Sequence, residues 1–228
     1  MDQHDKMFFY DRFAADFDDK MNMYDLKRRI EIVFDDFLKE ELLSDKLFLD
    51  AGSGTGWFSS EAVQKKAQVY SLDIGENILA EVAMKCNSNR VVGSVLEIPF
   101  NDNYFDIVLC TEVIEHTPDP KKAVTELARV VKKGGTLIIT VPNIIWYPLI
   151  VIANFLKLRP YEGYENWVGW NEMKKWLTGL GLKIESMKGI HLFPFILPFT
   201  HNILRYFDNY ESHLGFMMLN ICVKAIKE

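Results

Sequence analysis

Apolar and polar positions along the chain follow two periods that alternate. Apolar runs of strand length stand at Leu47 to Asp50, Gln68 to Leu72, Arg90 to Val92, Phe105 to Cys110, Gly135 to Val141 and Leu182 to Ile190, with a last one over Gly215 to Ile226. Between them, helical spacing covers Trp57 to Lys66, Glu76 to Lys85, Pro120 to Val131 and Asn171 to Thr178. The third of these helices is expected to close on Lys132-Lys133-Gly134-Gly135, basic residues and glycine that suit a helix C-terminus. Strand and helix in alternation predict an α/β fold with a parallel, doubly wound sheet. Ahead of the first strand, Phe9, Phe13, Phe17, Leu26, Ile30, Val33, Phe34, Phe37 and Leu38 recur at helical spacing, which predicts two helices broken near Asn22. Residues 1–45 are read as a cap over the sheet edge with a partial lid role, in which Tyr10, Phe13 and Tyr24 cover a ligand.

The first strand runs into Asp50-Ala51-Gly52-Ser53-Gly54-Thr55-Gly56. Alternating glycines strip Cβ atoms from a strand-to-helix turn and let a ligand approach the main chain. A dinucleotide fingerprint starting at Gly52 would need its third glycine where Trp57 stands, so the third glycine comes one residue early. A phosphate-binding P-loop would need a lysine, and the loop has none. Asp73, at the tip of the second strand, is placed to accept hydrogen bonds from a ribose; as a purely structural residue it would cap the Glu76 to Lys85 helix.

Composition narrows the picture. With 228 residues the chain is expected to form one domain. Asp and Glu outnumber Lys and Arg by 32 to 26, and the net charge of -6 argues against nucleic acid as the main partner. Cys86, Cys110 and Cys222 show no C-x-x-C spacing and His191, His201 and His213 no compact ligand spacing, so no metal is expected. Without a basic start or a spanning apolar run, the expected location is the cytoplasm, with peripheral contact to a membrane kept open.

Taken in order, Leu49-Asp50-Ala51-Gly52-Ser53-Gly54-Thr55-Gly56, Leu72-Asp73-Ile74, Ile98-Pro99-Phe100, Asn103 to Val108, Glu112-Val113-Ile114-Glu115-His116 with Pro118-Asp119-Pro120, and Lys133 to Leu137 resemble the class I S-adenosylmethionine-dependent methyltransferases. The resemblance is to the small-molecule type of ubiquinone and menaquinone biosynthesis, and it covers Leu47 to Asn143. It implies a Rossmann-like, mostly parallel seven-stranded sheet with an antiparallel last strand, a cofactor-binding core over 46–143, and S-adenosylmethionine as cofactor with S-adenosylhomocysteine as product. It further implies that Asp50, Gly52, Ser53, Gly54 and Gly56 hold the methionine end, Asp73 the ribose and Ile74 the adenine. Where similar sequences carry an acid after Gly93 this chain has Ser94, which with the Val95 amide is left to meet the adenine edge. Cys110 would offer its carbonyl to the methionine ammonium. His116, just beyond the fourth strand, is the candidate base, and equally a pocket wall or a structural residue; Glu112 and Glu115 are expected to face solvent or cap turns.

Past Asn143 the resemblance thins into two aromatic-rich insertions, 144–170 and 193–211, expected on the carboxyl edge of the sheet as an acceptor-side lid. The same aromatics would also serve as a second small core or an interface between copies. They suit a small apolar or aromatic acceptor. An RNA methyltransferase, a nicotinamide oxidoreductase and a non-catalytic protein that retains the fold are the competing expectations; the acidic balance disfavours the first and the early third glycine the second.

Overall fold

The computed structural model describes residues 11–155, 164–193 and 200–228. Seven strands, β1 (Leu47–Ala51), β2 (Gln68–Asp73), β3 (Asn89–Val92), β4 (Phe105–Thr111), β5 (Val131–Pro142), β6 (Leu182–Ile190) and β7 (Asn220–Lys227), form one sheet in the order β3-β2-β1-β4-β5-β7-β6. The first five pair in parallel, and β7 runs antiparallel to both β5 and β6. This is the expected Rossmann-like sheet. Strand order reverses beside β1, so the carboxyl ends of β1 and β4 open the crevice where such sheets bind ligands.

The helices are α1 (Phe17–Lys20), α2 (Met23–Ile30), α3 (Trp57–Gln64), α4 (Glu76–Lys85), α5 (Pro120–Val130), α6 (Tyr147–Phe155), α7 (Trp170–Gly179), α8 (His201–Asp208) and α9 (Glu211–Leu214). Successive strand residues alternate between two cores. Leu49, Val108, Leu137 and Ile139 meet Leu127 of α5 and Met173 of α7 on one face. Phe48, Ile107, Leu109 and Ile138 meet Phe34 and Phe37 of the cap and Phe58 of α3 on the other. The break at Asn22 is a helix start: its Oδ1 accepts from the Tyr24 and Asp25 amides at 3.1 and 3.2 Å. From Glu31 to Phe37 the helix continues as a wider π turn that buries Ile32, Val33, Phe34 and Phe37. The expected lid residue Tyr10 lies outside the described residues, as do Tyr161, Phe195 and Phe199 of the insertions, and so does the side chain of Phe13.

One expectation fails at the end of α5. Lys132 to Gly135 do not close the helix; they lie inside β5, which begins at Val131. Val131 pairs with Phe105 while Thr136 pairs with Ile107, so four residues of β5 loop out against one of β4. Gly134 takes φ +74°, and a Cβ on Gly135 would sit 2.8 Å from the Asp106 carbonyl oxygen. The glycines serve an irregularity of the ladder rather than a helix cap. The last strand likewise starts later than expected: Gly215–Met217 is a 3-10 turn and β7 begins at Asn220.

Candidate active site

The glycine loop hangs from the end of β2. The Gly52 and Ser53 amides donate to the Leu72 carbonyl at 2.7 and 2.9 Å, and the Gly54 amide donates to Asp73 Oδ2 at 3.0 Å. Gly52, Gly54 and Gly56 all have positive φ, +77°, +51° and +89°. A Cβ on Gly52 would meet Val113 Cγ2 at 2.4 Å and one on Gly56 would meet Val82 at 3.0 Å, whereas one on Gly54 meets nothing within 4 Å among the described residues. Two glycines thus admit neighbouring elements, and Gly54 leaves open space for a ligand.

That space is a cavity of about 370 Å³. Of the residues expected to contact a cofactor, Gly52, Ser53, Gly54, Asp73, Ile74, Ser94 and Val95 border it, and His116 does too. Asp50, Gly56 and Cys110 are not among its walls. Asp50 sits behind the loop, 1% exposed, because β1 turns its side chain toward α3, where Ser59 Oγ donates to Oδ2 at 2.6 Å. Cys110 is fully buried in the core. Ser94 Oγ accepts from the Leu96 amide at 3.1 Å and so also shapes its own turn.

Asp73 accepts from the Gly54 and Gly75 amides, and burial pushes its carboxyl up to about 6. It does not cap α4. That task falls to Asp11, 67 residues away in sequence, whose Oδ1 accepts from the Ile78 amide at 3.0 Å and Oδ2 from Asn77 at 2.9 Å. Asp18 makes a second latch between cap and loop, accepting from Thr55 Oγ1 at 2.5 Å and Trp57 Nε1 at 3.1 Å beside Lys85 Nζ at 2.7 Å. Acids in a helical cap look like solvated charges, so the sequence held no signal for either latch. With Phe17, Met21 and Arg29, Asp11 forms the roof of the cavity.

Glu112 and Glu115 were expected to face solvent or cap turns, and the structure overturns the first of these. Glu115 is 1% exposed, and Glu112 is fixed by Thr140 Oγ1 and Asn220 Nδ2, each donating at 2.8 Å. Glu112 also has φ +54°, an uncommon backbone state for a residue with a side chain, of the kind found where a site holds its groups in place. Burial raises both carboxyls, Glu115 well above its usual range, with the charge of Glu112 adding to the rise at Glu115 and that of Asp25 to the rise at Glu112. Among the described residues, buried Glu115 Oε2 and Ser53 Oγ have no hydrogen-bond partner. Both residues line the cavity, so its walls carry a carboxyl and a hydroxyl in want of partners. A ligand with an ammonium and ribose hydroxyls would supply such partners. Arg29, 9% exposed and held by Asp25 through Nε at 3.0 Å and a terminal nitrogen at 2.6 Å, supplies a cation at the same cavity.

His116 Nδ1 lies 2.9 Å from the Tyr164 carbonyl oxygen. A carbonyl only accepts, so Nδ1 carries the proton, and in the neutral ring Nε2 is the basic atom. Nε2 stands 3.7 Å from Glu115 Oε1, beyond hydrogen-bond distance. Of the first insertion, Trp167 forms part of the cavity wall. The described part of the second insertion contributes none of the wall and docks on the cap instead. Tyr24, expected over the ligand, stacks on His201 with ring centroids 3.9 Å apart and donates to the His201 carbonyl, while Arg28 pairs with Asp208 at 2.9 Å and Glu211 at 2.9 Å.

Asp50 makes a pH prediction. Burial raises its carboxyl to about 7, while in the unfolded chain it titrates near 4. Across that window the folded protein keeps a proton that the unfolded chain has lost, so stability falls as pH rises and levels off above about 7. About three pH units correspond to about 4 kcal/mol. Urea denaturation from pH 4 to 8 should therefore show Asp50→Asn gaining on the wild type by that order. Parallel pH curves for the two proteins would contradict the assignment.

Residues 49–139 match the family described as the methyltransferase domain. An uncharacterized protein of Methanocaldococcus jannaschii is 34% identical over 142 residues, 57% of this chain and 61% of that one. Ubiquinone biosynthesis O-methyltransferase of Serratia proteamaculans is 28% identical over 162 residues, 66% of this chain and 67% of the relative. The chain thus spans about three-fifths to two-thirds of the length of these relatives. Magnesium protoporphyrin IX methyltransferase of Synechocystis PCC 6803, solved with bound SAH, shares the fold with a TM-score of 0.67 at 18% identity, over 99% of this chain and 97% of that one. The glycine loop and Asp73 fall inside residues 49–139, the stretch that matches the methyltransferase domain family, and methyltransferases are what the chain is similar to in both sequence and fold.

Proposed function

We propose that the protein transfers a methyl group from S-adenosylmethionine to a small apolar or aromatic acceptor. The observation that carries this reading is a cavity whose walls include Gly54 and Asp73 together with His116 and Trp167. In it, Asp73 accepts from the ribose hydroxyls, Ile74 flanks the adenine, and Ser94 and Val95 meet its edge. Ser53, the loop amides, Arg29 and the Glu112 and Glu115 carboxyls serve the methionine end. Asp50, Gly56 and Cys110 act from behind, by holding the loop and β4 in shape.

Once bound, the cofactor supplies a methyl group on a sulfonium, a strong leaving group. The chain's own work is therefore placement of the acceptor and exclusion of water. The cap and its Asp11 and Asp18 latches exclude water, and Trp167 offers an aromatic wall. Where the attacking atom carries a proton, His116 Nε2 takes it, with the ring held by the Tyr164 carbonyl.

The test is to incubate the protein with methyl-labelled S-adenosylmethionine and cell lipid and metabolite extracts, and to identify labelled products by mass. A labelled apolar product is expected; label confined to RNA or to polar metabolites would refute the acceptor class. On the product so found, His116→Gln should lower kcat roughly 100-fold with S-adenosylhomocysteine affinity unchanged. A rise in KM at constant kcat would make His116 a wall of the pocket and not a base.

A further inference from the structure

We infer that residues 144–155, with the turn at 215–217, form a docking surface for a lipid bilayer. Ile144, Ile145, Leu149, Val151, Ile152 and Phe155 are 38–84% exposed, and Phe216 and Met217 are 52% and 48% exposed. The two segments are fastened together: Trp146 Nε1 donates to the Met217 carbonyl at 2.9 Å, and Asn143 Nδ2 to that of Phe216 at 2.9 Å. On α6 the exposed Leu149, Val151, Ile152 and Phe155 fall within one arc of about 160° at 100° per residue. Scattered apolar residues on a surface need no explanation; eight in one patch do.

The chemistry of the patch selects the occupant. From Gly134 to Leu156 the chain carries no charged residue, which suits a surface that enters the apolar part of a bilayer. The exposed apolar side chains offer no hydrogen-bond donor or acceptor, whereas protein interfaces of ordinary size carry about ten hydrogen bonds and a polar rim. Trp146 and Tyr147 stand at the base of α6, ring types that settle between headgroups and chains. Nine residues make a helix about 14 Å long, so α6 lies in the interface and does not span the ~30 Å core. No helix among the described residues is long and apolar enough to cross a membrane.

The patch is continuous with the active site. Tyr147 packs edge-on against Trp167, ring centroids 5.9 Å apart, and Trp167 lines the cavity. The Asn166 amide donates to the Glu115 carbonyl at 2.8 Å, and the Ile144 amide to that of Val168 at 3.2 Å. A docked α6 therefore sets the acceptor side of the cavity at the bilayer surface. This meaning for catalysis rests on the apolar-acceptor reading; docking itself does not.

The experiment is flotation of the full chain with phosphatidylcholine vesicles containing phosphatidylglycerol. Wild type should float with the vesicles. Val151→Asp/Ile152→Asp should lose at least tenfold of the bound fraction, while its thermal shift with S-adenosylhomocysteine stays unchanged and shows the fold intact. Absence of wild-type binding, or equal binding by the variant, would overturn the inference. So would light scattering that shows a wild-type dimer split by the same variant, since the patch would then belong to a second copy. Labelled-methyl turnover with detergent-dispersed extract separates the two readings: no apolar product with vesicle binding intact defeats the acceptor class alone, and turnover without vesicle binding defeats the docking surface alone.

Discussion

Replacing Asp73 with Asn should weaken S-adenosylhomocysteine binding by at least about 100-fold, on the order of 3 kcal/mol. Both carboxylate oxygens already accept from amides, Oδ2 from Gly54 and Oδ1 from Gly75, and each keeps a further lone pair at a residue that lines the cavity. An Asn must turn its NH2 toward one of those amides, setting donor against donor, and it loses the charge that strengthens each bond to a hydroxyl. The wild type should also show a pH signature. Its carboxyl sits at about 6 in the free protein, and a ligand that donates to it favours the ionised form. Affinity should be flat above that value and fall as pH drops through it, approaching tenfold per pH unit, whereas Asp73→Asn should lack this titration. Calorimetry at pH 5 and 8 measures both, and a variant that keeps wild-type affinity would remove Asp73 from the ribose site.

Gly52→Ala should cost about 3 to 5 kcal/mol of stability and close the cavity. Two terms combine: a left-handed backbone at φ +77°, worth about 1 to 2 kcal/mol, and a Cβ placed 2.4 and 2.6 Å from the two methyl carbons of Val113. Val113 is short and β-branched, so it has no flexible end to move aside. Gly54→Ala carries the backbone term alone, since nothing among the described residues lies within 4 Å of its Cβ. Gly52→Ala with Val113→Ala should recover the clash and leave the strain. Denaturation midpoints of the four proteins test this, and equal losses for Gly52→Ala and Gly54→Ala would show that Val113 is not the obstacle.

What the sequence made legible was local. Apolar runs bounded by glycine and acid located the parallel strands, and Asp-x-Gly-x-Gly-x-Gly with Asp73 located one side of the cavity, because those roles depend on neighbours in the chain. Glu112 and Glu115 were misread because charge alone predicts solvent. Glu112 is held by Thr140 on β5 and Asn220 on β7, partners 28 and 108 residues away, and Glu115 is 1% exposed in the turn beyond β4. Asp11 and Asp18 were illegible for the same reason, since an acid in a cap becomes a latch only when α4 and the loop lie beneath it. The aromatic insertions looked alike in composition. The structure separates them, one lending Trp167 to the cavity and the other docking on α2 through Arg28 and Tyr24. Gly134 and Gly135 carried the sequence signature of a helix end and proved to be a strand irregularity, since both ask the same freedom of the backbone.

The place of β7 between β5 and β6 has a consequence for synthesis. Thr136 to Pro142 of β5 are buried in the finished sheet, and β6 pairs with β7 alone. While the chain leaves the ribosome, β1 to β5 can assemble in order, yet β5 presents an unmatched apolar border and β6 has nothing to join until Asn220 to Lys227 emerge. That border is a template for a stray strand. A pause that holds back those eight residues exposes it, and pulse proteolysis of stalled chains should cut β6 while sparing β1 to β4.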